Sequence, residues 1–175
     1  MKPKLILCLA LVLSGSLFGC ATAHKNKLSG LPIHYYNAQY DFTFYLPDSW
    51  KGCSVVMDEW DAPLMKSPSD STDKAIGTER GSIIVLRHPL WRTNNLYQDI
   101  PIMVFTRKQW QEEHDGLFFP YAGGLISEMW HNNKYVFGLY SRYNANDDVK
   151  GWKEVDGILA TNSAAHSEPT LYLNQ

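Results

Sequence analysis

The chain has 175 residues, of which 45% are hydrophobic, 13% aromatic and 19% charged, and this length fits one domain. The aromatic content and the net charge of −2 exclude a disordered chain and argue against a nucleic-acid-binding protein, which usually has a strongly basic face. Twelve glycines and three cysteines exclude a collagen-like or disulfide-dense scaffold.

The first twenty residues have the pattern of an exported protein. Lys2 and Lys4 precede an apolar run, Leu5 to Leu13, that is too short for a membrane-spanning helix of about 20 residues and is typical of a secretory signal. The next segment, Leu17-Phe18-Gly19-Cys20, resembles the lipobox of bacterial lipoproteins, with a phenylalanine where a small residue is preferred. This resemblance implies cleavage before Cys20, a diacylglycerol on its sulfur and a further acyl chain, such as palmitate, on its amine.

Such an anchor would fix the location of the protein. Two or three acyl chains give stable membrane residence, whereas one chain gives only marginal binding. We therefore expect attachment to the cell membrane or the outer membrane through Cys20, with the body outside the cytoplasm. The alternative is an ordinary signal peptide that happens to place a cysteine near its cleavage site.

The remaining chain divides by composition into three parts. Residues 20–32 are small and polar and predict a tether, residues 33–160 predict a single domain, and residues 161–175 predict a flexible tail. Once Cys8 leaves with the signal and Cys20 is lipidated, Cys53 has no partner. Its position before Ser54-Val55-Val56 indicates a packing residue at the start of a strand.

The first half of the domain is predicted to contain strands separated by a turn and a loop. Phe42, Phe44 and Leu46 alternate with Thr43 and Tyr45, which predicts a half-buried strand that Pro47 ends. A short turn from Asp48 carries Trp50, and a strand resumes over residues 54–57. Prolines, a glycine and a Ser/Asp cluster over residues 61–80 predict a long surface loop.

The second half combines strands with two helices. Ile83–Leu86 and Ile102–Phe105 are continuous apolar runs, typical of central strands covered on both faces. Thr106 and Gln109 have the spacing of a capping box at the start of a helix. Two β-rich runs, 125–130 and 135–140, flank an asparagine-bearing turn and predict a hairpin.

A second helix is expected after Asn146-Asp147-Asp148, with Val149, Trp152, Val155 and Leu159 on one face. Together these elements predict an α+β domain with a mainly antiparallel sheet and packed helices.

Five blocks of the sequence carry a resemblance to known proteins: Tyr40–Gly52, Arg87–Trp91, Gln98–Thr106 with Gln109-Trp110, Asn133–Phe137 and Arg142–Asn144. These blocks resemble a family of uncharacterised bacterial secreted proteins and lipoproteins. The opening pattern, from Phe42 to Trp50, is also similar, more loosely, to PsbP-like sandwich domains. That similarity implies a curved antiparallel sheet between helices and favours a binding or assembly module, but it implies no known activity.

One polar cluster, at the connection between two apolar strands, is the main candidate binding site. Arg87, His88, Trp91, Arg92 and Asp99 lie there, in a kind of loop that often carries function. His88 and Asp99 could form an oriented base, or Arg87 and Arg92 could grip an anionic ligand beside Trp91. The structural alternative is an ion pair of Arg87 with Asp99 that joins the strand ends.

No other motif points to chemistry. Asp58, Glu59 and Asp61 lack the spacing of a calcium loop and are expected at a solvated strand end, and the histidines lack zinc-site spacing. Phosphate-loop, Rossmann and serine-hydrolase patterns are absent from the sequence, so no cofactor or metal is expected. The sequence thus predicts an envelope lipoprotein that binds an envelope protein or a small molecule. The alternative is a hydrolase-like enzyme that uses His88 and Asp99.

Overall fold

Seven strands and two helices make up the part of the chain that the computed structural model describes, residues 33–68, 74–120, 125–141, 143 and 149–167. The expected signal peptide, Cys20 and the tether lie outside these residues. All strand pairs are antiparallel, in a two-stranded sheet β1-β2 and a five-stranded sheet of order β3-β4-β5-β7-β6. The elements are β1 (Ile33–Asn37), β2 (Phe42–Leu46), β3 (Ser54–Leu64), β4 (Gly77–Arg87), β5 (Ile100–Thr106), α1 (Arg107–His114), β6 (Ile126–His131), β7 (Tyr135–Tyr140) and α2 (Trp152–Ser167).

Strand β2 confirms the alternation in the sequence. Phe42, Phe44 and Leu46 are buried, whereas the residues between them are half-exposed. A single 3-10 turn, Asp48–Trp50, follows Pro47 and places Trp50 in the core at 1% exposure. The buried face of β2 covers one side of the larger sheet together with α2.

The larger sheet has a hydrophobic core on each face. On one face, β1, β2 and α2 cover strands β4 and β5; on the other, α1 and Phe118 cover Trp60, Met103 and Phe105. Strand β5 is therefore buried from Ile100 to Phe105, as its continuous apolar run predicts. Strand β4 meets this expectation on one face only, because Ile83 and Val85 stay half-exposed. The α+β prediction is confirmed, and neither sheet is strongly curled.

The bounds of the loop expected over residues 61–80 are wrong, because strands take up both of its ends. Strand β3 continues to Leu64 and β4 begins at Gly77, with eleven consecutive residue pairs between the two strands. Trp60 and Ala62 point into the second core, and the ring of Trp60 lies where a Cβ on Gly81 would be, 2.4 Å away. Acidic residues on the exposed positions hide this alternation in the sequence. The acidic cluster thus lies in the middle of β3, and not at a strand end as expected.

The predicted start of α1 is confirmed, whereas α2 differs from its prediction at both ends. Both hydrogen bonds of the capping box between Thr106 and Gln109 are present at α1. Helix α2 begins at Trp152, so Val149 lies before it, and Trp152 is only half-buried. The helix continues to Ser167, which corrects the expected tail from residue 161. Asn162 is fully buried there, and its side chain bonds the backbone N–H and carbonyl of Tyr45 at 2.8 and 2.9 Å.

The two ends of the domain differ in what they carry. At one end, Ile33 pairs with Leu46 and Trp50 packs against His88, which follows β4. We call this the loop end, because it carries residues 87–99 and the first turn of α2. The opposite end carries the β1–β2 turn, residues 38–41, and the β6–β7 turn, residues 132–134, and we call it the turn end. Among the described helices, none is long and apolar enough to cross a membrane.

Candidate functional site

The loop over residues 87–99 is held by an ion pair. The guanidinium of Arg87 donates to the Asp99 carboxylate from Nε at 3.1 Å and from Nη2 at 2.9 Å. The ring of Trp91 lies 4.1 Å from the same guanidinium, on which it makes a cation–π contact. Because Arg87 ends β4 and Asp99 precedes β5, the pair joins two strand ends. This geometry confirms the structural alternative for these two residues.

His88 is also a structural residue. Its side chain is 5% exposed, stacks on Tyr97 at 4.4 Å and meets the edge of Trp50 at 5.0 Å. Its Nδ1 accepts the backbone N–H of Leu90 at 3.1 Å. Burial lowers the pKa of His88, against the opposing charges of Glu154 and Asp99. Within the described residues, no hydrogen bond joins His88 to Asp99, so the oriented base is not assembled.

Arg92 does not share an anion site with Arg87. Its Nη1 donates to the carbonyls of Pro89 at 3.0 Å and Trp91 at 2.6 Å, across a tight turn that pairs Arg92 with Asn95. Arg87 is already occupied by Asp99. The loop therefore presents apolar surface instead, with Leu90 54% exposed and Leu96 40% exposed.

The structure also shows the surroundings of Cys53 and of the acidic cluster in β3. Cys53 is half-buried and packs against the first core, and burial raises the pKa of its thiol, so its packing role is confirmed. Asp58, Glu59 and Asp61 point outward from β3. The described residues contain no group of three or more acidic, histidine or cysteine side chains placed to hold a metal.

A cleft that no sequence motif indicates lies at the turn end. The β1–β2 turn and the β6–β7 turn lie side by side and enclose a volume of about 490 Å³, a size typical of small-molecule sites. We call it the turn cleft. Its lining is polar and aromatic: Tyr36, Ala38, Gln39, Tyr40, Asp41, Asn132, Asn133, Lys134 and Tyr135.

The side chain of Asn132 holds the two turns together. Its Nδ2 donates to the carbonyls of Tyr40 at 2.8 Å and Asp41 at 3.1 Å, and its Oδ1 accepts the backbone N–H groups of Lys134 and Tyr135 at 2.9 and 2.8 Å. These bonds use every hydrogen-bonding atom of the amide. They also fix Asp41 in the left-handed region, at φ 52°, which aspartate tolerates better than most residues. The shape of the cleft is thus set before any ligand binds.

Three tyrosines line the cleft, but Tyr40 is only 8% exposed and Tyr135 is half-buried. Tyr40 and Tyr135 meet edge to face at 5.2 Å, and the Tyr40 hydroxyl bonds Gln39 and Ser82. These two rings separate the turn cleft from a neighbouring hollow of about 270 Å³. Tyr36 is 56% exposed; its hydroxyl donates to Asp41 at 3.1 Å, and this bond raises the pKa of Tyr36.

The chemistry of the turn cleft suits binding. One cation, Lys134, and one anion, Asp41, nearly balance its charge, while the exposed Asn133 and Lys134 offer donors and acceptors. Among the described residues, neither histidine nor cysteine lines the cleft, and its one carboxylate, that of Asp41, accepts the Tyr36 hydroxyl. The turn at 131–134 was predicted as a turn alone, because its contact with residues 40 and 41 spans about ninety residues of sequence.

Comparison with known proteins adds no relative: no family model, no curated protein and no solved structure matches the chain. The geometry of the described residues is therefore what carries the functional argument.

Proposed function

We propose that this protein is a lipid-anchored binding domain of the bacterial envelope, with no catalytic role, that holds a ligand in the turn cleft. The observation that carries the proposal is the preformed cleft, whose lining is fixed by Asn132 and remains open to solvent. The candidate catalytic pair, His88 and Asp99, supports the same choice because each residue has a separate structural partner.

The position of the cleft suits an anchored protein. Ile33, where the described chain begins, lies at the loop end, and the cleft lies at the turn end. The thirteen residues from Cys20 to 32 extend at most about 45 Å, so the domain stays close to the membrane that holds Cys20. A ligand outside that membrane can enter the cleft without contact with the anchor. The helices on either side of the larger sheet are consistent with a PsbP-like sandwich, which we keep as the proposed fold family.

The ligand class follows from the lining. The exposed ring of Tyr36 can pack against apolar C–H groups, and amides and hydroxyls form hydrogen bonds with neutral polar groups. The nearly balanced charge of the cleft gives little attraction for a strong anion or cation. A neutral sugar, which combines hydroxyl and amide groups with an apolar face, meets these conditions. We therefore propose a short glycan as the ligand.

A protein partner at residues 87–99 is the second candidate. The observation that favours it is the exposure of Leu90 and Leu96 beside Trp91 and Arg92, because tryptophan and arginine often dominate protein interfaces. Pulldown from envelope extract separates the two proposals: the double change Trp91→Ala and Arg92→Ala abolishes capture only if the loop is the interface.

The anchor is tested by substitution and labelling. Cys20→Ser should move the protein from the membrane fraction to the soluble fraction. The reason is that the sulfur of Cys20, and its amine after cleavage, are the two atoms expected to carry acyl chains. A labelled fatty acid should enter the wild type and be absent from Cys20→Ser. Wild-type protein that takes up no label would disprove lipidation, whatever the outcome at the cleft.

The cleft is tested with oligomers of N-acetylglucosamine as the probe. Tyr36→Ala removes an exposed ring from the cleft and should weaken binding about tenfold in calorimetric titration, equal to about 1.4 kcal/mol. Trp91→Ala is the matched control, because it removes a half-exposed ring at the loop end. Equal binding by the wild type and Tyr36→Ala would exclude this cleft as the sugar site.

A further inference from the structure

One edge of the larger sheet is exposed and divided into two unlike halves. Strand β3 is an edge strand, and within the described residues no strand pairs with its outer side. Its second half carries exposed acidic side chains and Pro63, features that protect edges from pairing. Its first half carries three exposed apolar residues in a row, Val55, Val56 and Met57, at 41%, 37% and 52% exposure. That half has no protection against pairing.

The backbone of this half is free to pair outward at odd-numbered positions. Residues of an antiparallel strand alternate between bonding inward and pointing outward. In β3 the backbone N–H and C=O groups of the odd-numbered residues point away from β4. The N–H of Glu59 donates to the side chain of Asp58, and the N–H of Met65 donates to the carbonyl of Leu117. The eleven-residue register with β4 has no shift, so Val55 and Met57 share that orientation.

We propose that this edge pairs, antiparallel, with the same edge of a second copy, on a two-fold axis at Val56. Val55 then lies opposite Met57 of the partner subunit, and the two residues exchange their outward N–H and C=O groups. Val56 lies opposite the partner's Val56 as a non-hydrogen-bonded pair. The interface is isologous, the form that closes a symmetric dimer, and two five-stranded sheets become one continuous sheet.

The charges of the edge match in this register. Asp58 lies opposite Ser54 of the partner subunit, whose hydroxyl can donate to the carboxylate. An axis near Glu59 would instead oppose carboxylates to carboxylates, which destabilises strand pairs. The sequence of the edge is thus complementary to itself at one register.

A second copy also suits where the chain continues outside the described residues. Ser54 and Ile33 both lie at the loop end. Pairing through the start of β3 therefore brings Ile33 of each copy towards the two-fold axis. The turn clefts lie at the far ends of the dimer and stay open. This inference does not depend on the ligand of the cleft.

Site-directed cross-linking tests the axis. In the mature chain with Cys20→Ser and Cys53→Ser, Val56→Cys should form a disulfide-linked dimer under mild oxidation, because the Cα atoms of a non-hydrogen-bonded pair are about 4.5 Å apart. Val55→Cys is the matched control: the two cysteines would be diagonal neighbours about 7–8 Å apart, too far for a disulfide. Much higher yield for Val56→Cys supports the proposal. Equal yields, or none from either variant, overturn it.

Moving a carboxylate tests the register without cysteines. By sedimentation equilibrium of the mature chain with Cys20→Ser, Ser54→Asp should weaken dimerisation roughly threefold, because it places a carboxylate opposite Asp58 of the partner subunit. The double variant Ser54→Asp and Asp58→Ser should restore dimerisation, and a double variant that associates no better than Ser54→Asp overturns this register. A mature chain with Cys20→Ser that stays monomeric at about 100 μM overturns the dimer itself.

Discussion

The loop end and the turn end of this domain both carry dense polar and aromatic residues, yet they use them differently. At the loop end, Arg87 donates to Asp99, and His88 accepts the backbone N–H of Leu90, all within the same loop. At the turn end, Asn132 satisfies the backbone and leaves tyrosine rings and side-chain amides around an open cleft. Residue types alone therefore do not mark a site. What marks it is unused binding capacity in a fixed position.

The largest loss of stability is expected from a substitution at the loop end. His88→Ala removes a buried ring that is packed between Trp50 and Tyr97, and it should lower the free energy of unfolding by about 2–4 kcal/mol. Chemical denaturation of the wild type and the variant measures this loss. Binding of the sugar probe by the folded variant should stay unchanged. A stable His88→Ala protein that binds less sugar would reverse the roles of the two ends.

A change at the junction of the two turns affects both stability and binding. Asn132→Ala leaves two backbone carbonyls and two N–H groups without their partners and should cost about 2 kcal/mol in unfolding free energy. It should also weaken sugar binding, because the turns lose their fixed spacing. Asn133→Ala is the matched control for stability, since its exposed side chain has no intramolecular role among the described residues. Similar unfolding midpoints for the two variants would contradict the account of Asn132.

Acid should weaken the fold through buried His88 and half-buried His166. Burial lowers the pKa of His88 and of His166, although the Thr43 carbonyl opposes the shift at His166. In the unfolded chain each histidine has an ordinary pKa of about 6.5, so the unfolded chain binds protons more readily than the folded chain. Stability should therefore be complete above that pH and fall as the pH drops below it. Unfolding curves at pH 7.5 and 5.5 measure the loss, and His88→Gln should lose less over the same interval.

The smallest change in stability is expected from Arg92→Ala at the loop end, where a comparison with Arg87→Ala is informative. Arg92 is exposed and bonds only backbone carbonyls of its own turn, so Arg92→Ala should change the free energy of unfolding by less than about 0.5 kcal/mol. Arg87→Ala, which breaks the half-buried pair with Asp99, should cost more, about 1–2 kcal/mol. Thermal unfolding of the two variants decides the order. Equal losses would mean that the ion pair contributes nothing beyond an exposed arginine.

Elements defined by local patterns were predictable from the sequence. The alternation of β2, the capping box at Thr106 and the hairpin around Asn132 each depend on residues close in the chain. The outer part of the β3–β4 hairpin was missed because it contains Pro63 and Gly77, residue types that are typical of loops, beside a Ser/Asp cluster. The second half of α2 was missed because Asn162, a polar residue, is buried there by bonds to Tyr45, more than a hundred residues earlier.

The candidate site shows the same limit. The sequence identified the residues of the loop 87–99 but not which of them pair with each other, since salt bridges and open sites use the same residue types. It gave no sign of the turn cleft, because two ordinary turns become a site only through the contact of Asn132 with residues 40 and 41.

Mapping the binding of N-acetylglucosamine oligomers by NMR tests the central claim most directly. Titration of the isotope-labelled mature chain with Cys20→Ser should shift the amide signals of Tyr36, Gln39, Asn133 and Lys134, because these residues line the cleft. Signals from residues 88–97 at the loop end should not move. Shifts confined to the loop end, or a spectrum unchanged at millimolar sugar, would contradict the assignment of the turn cleft as the binding site.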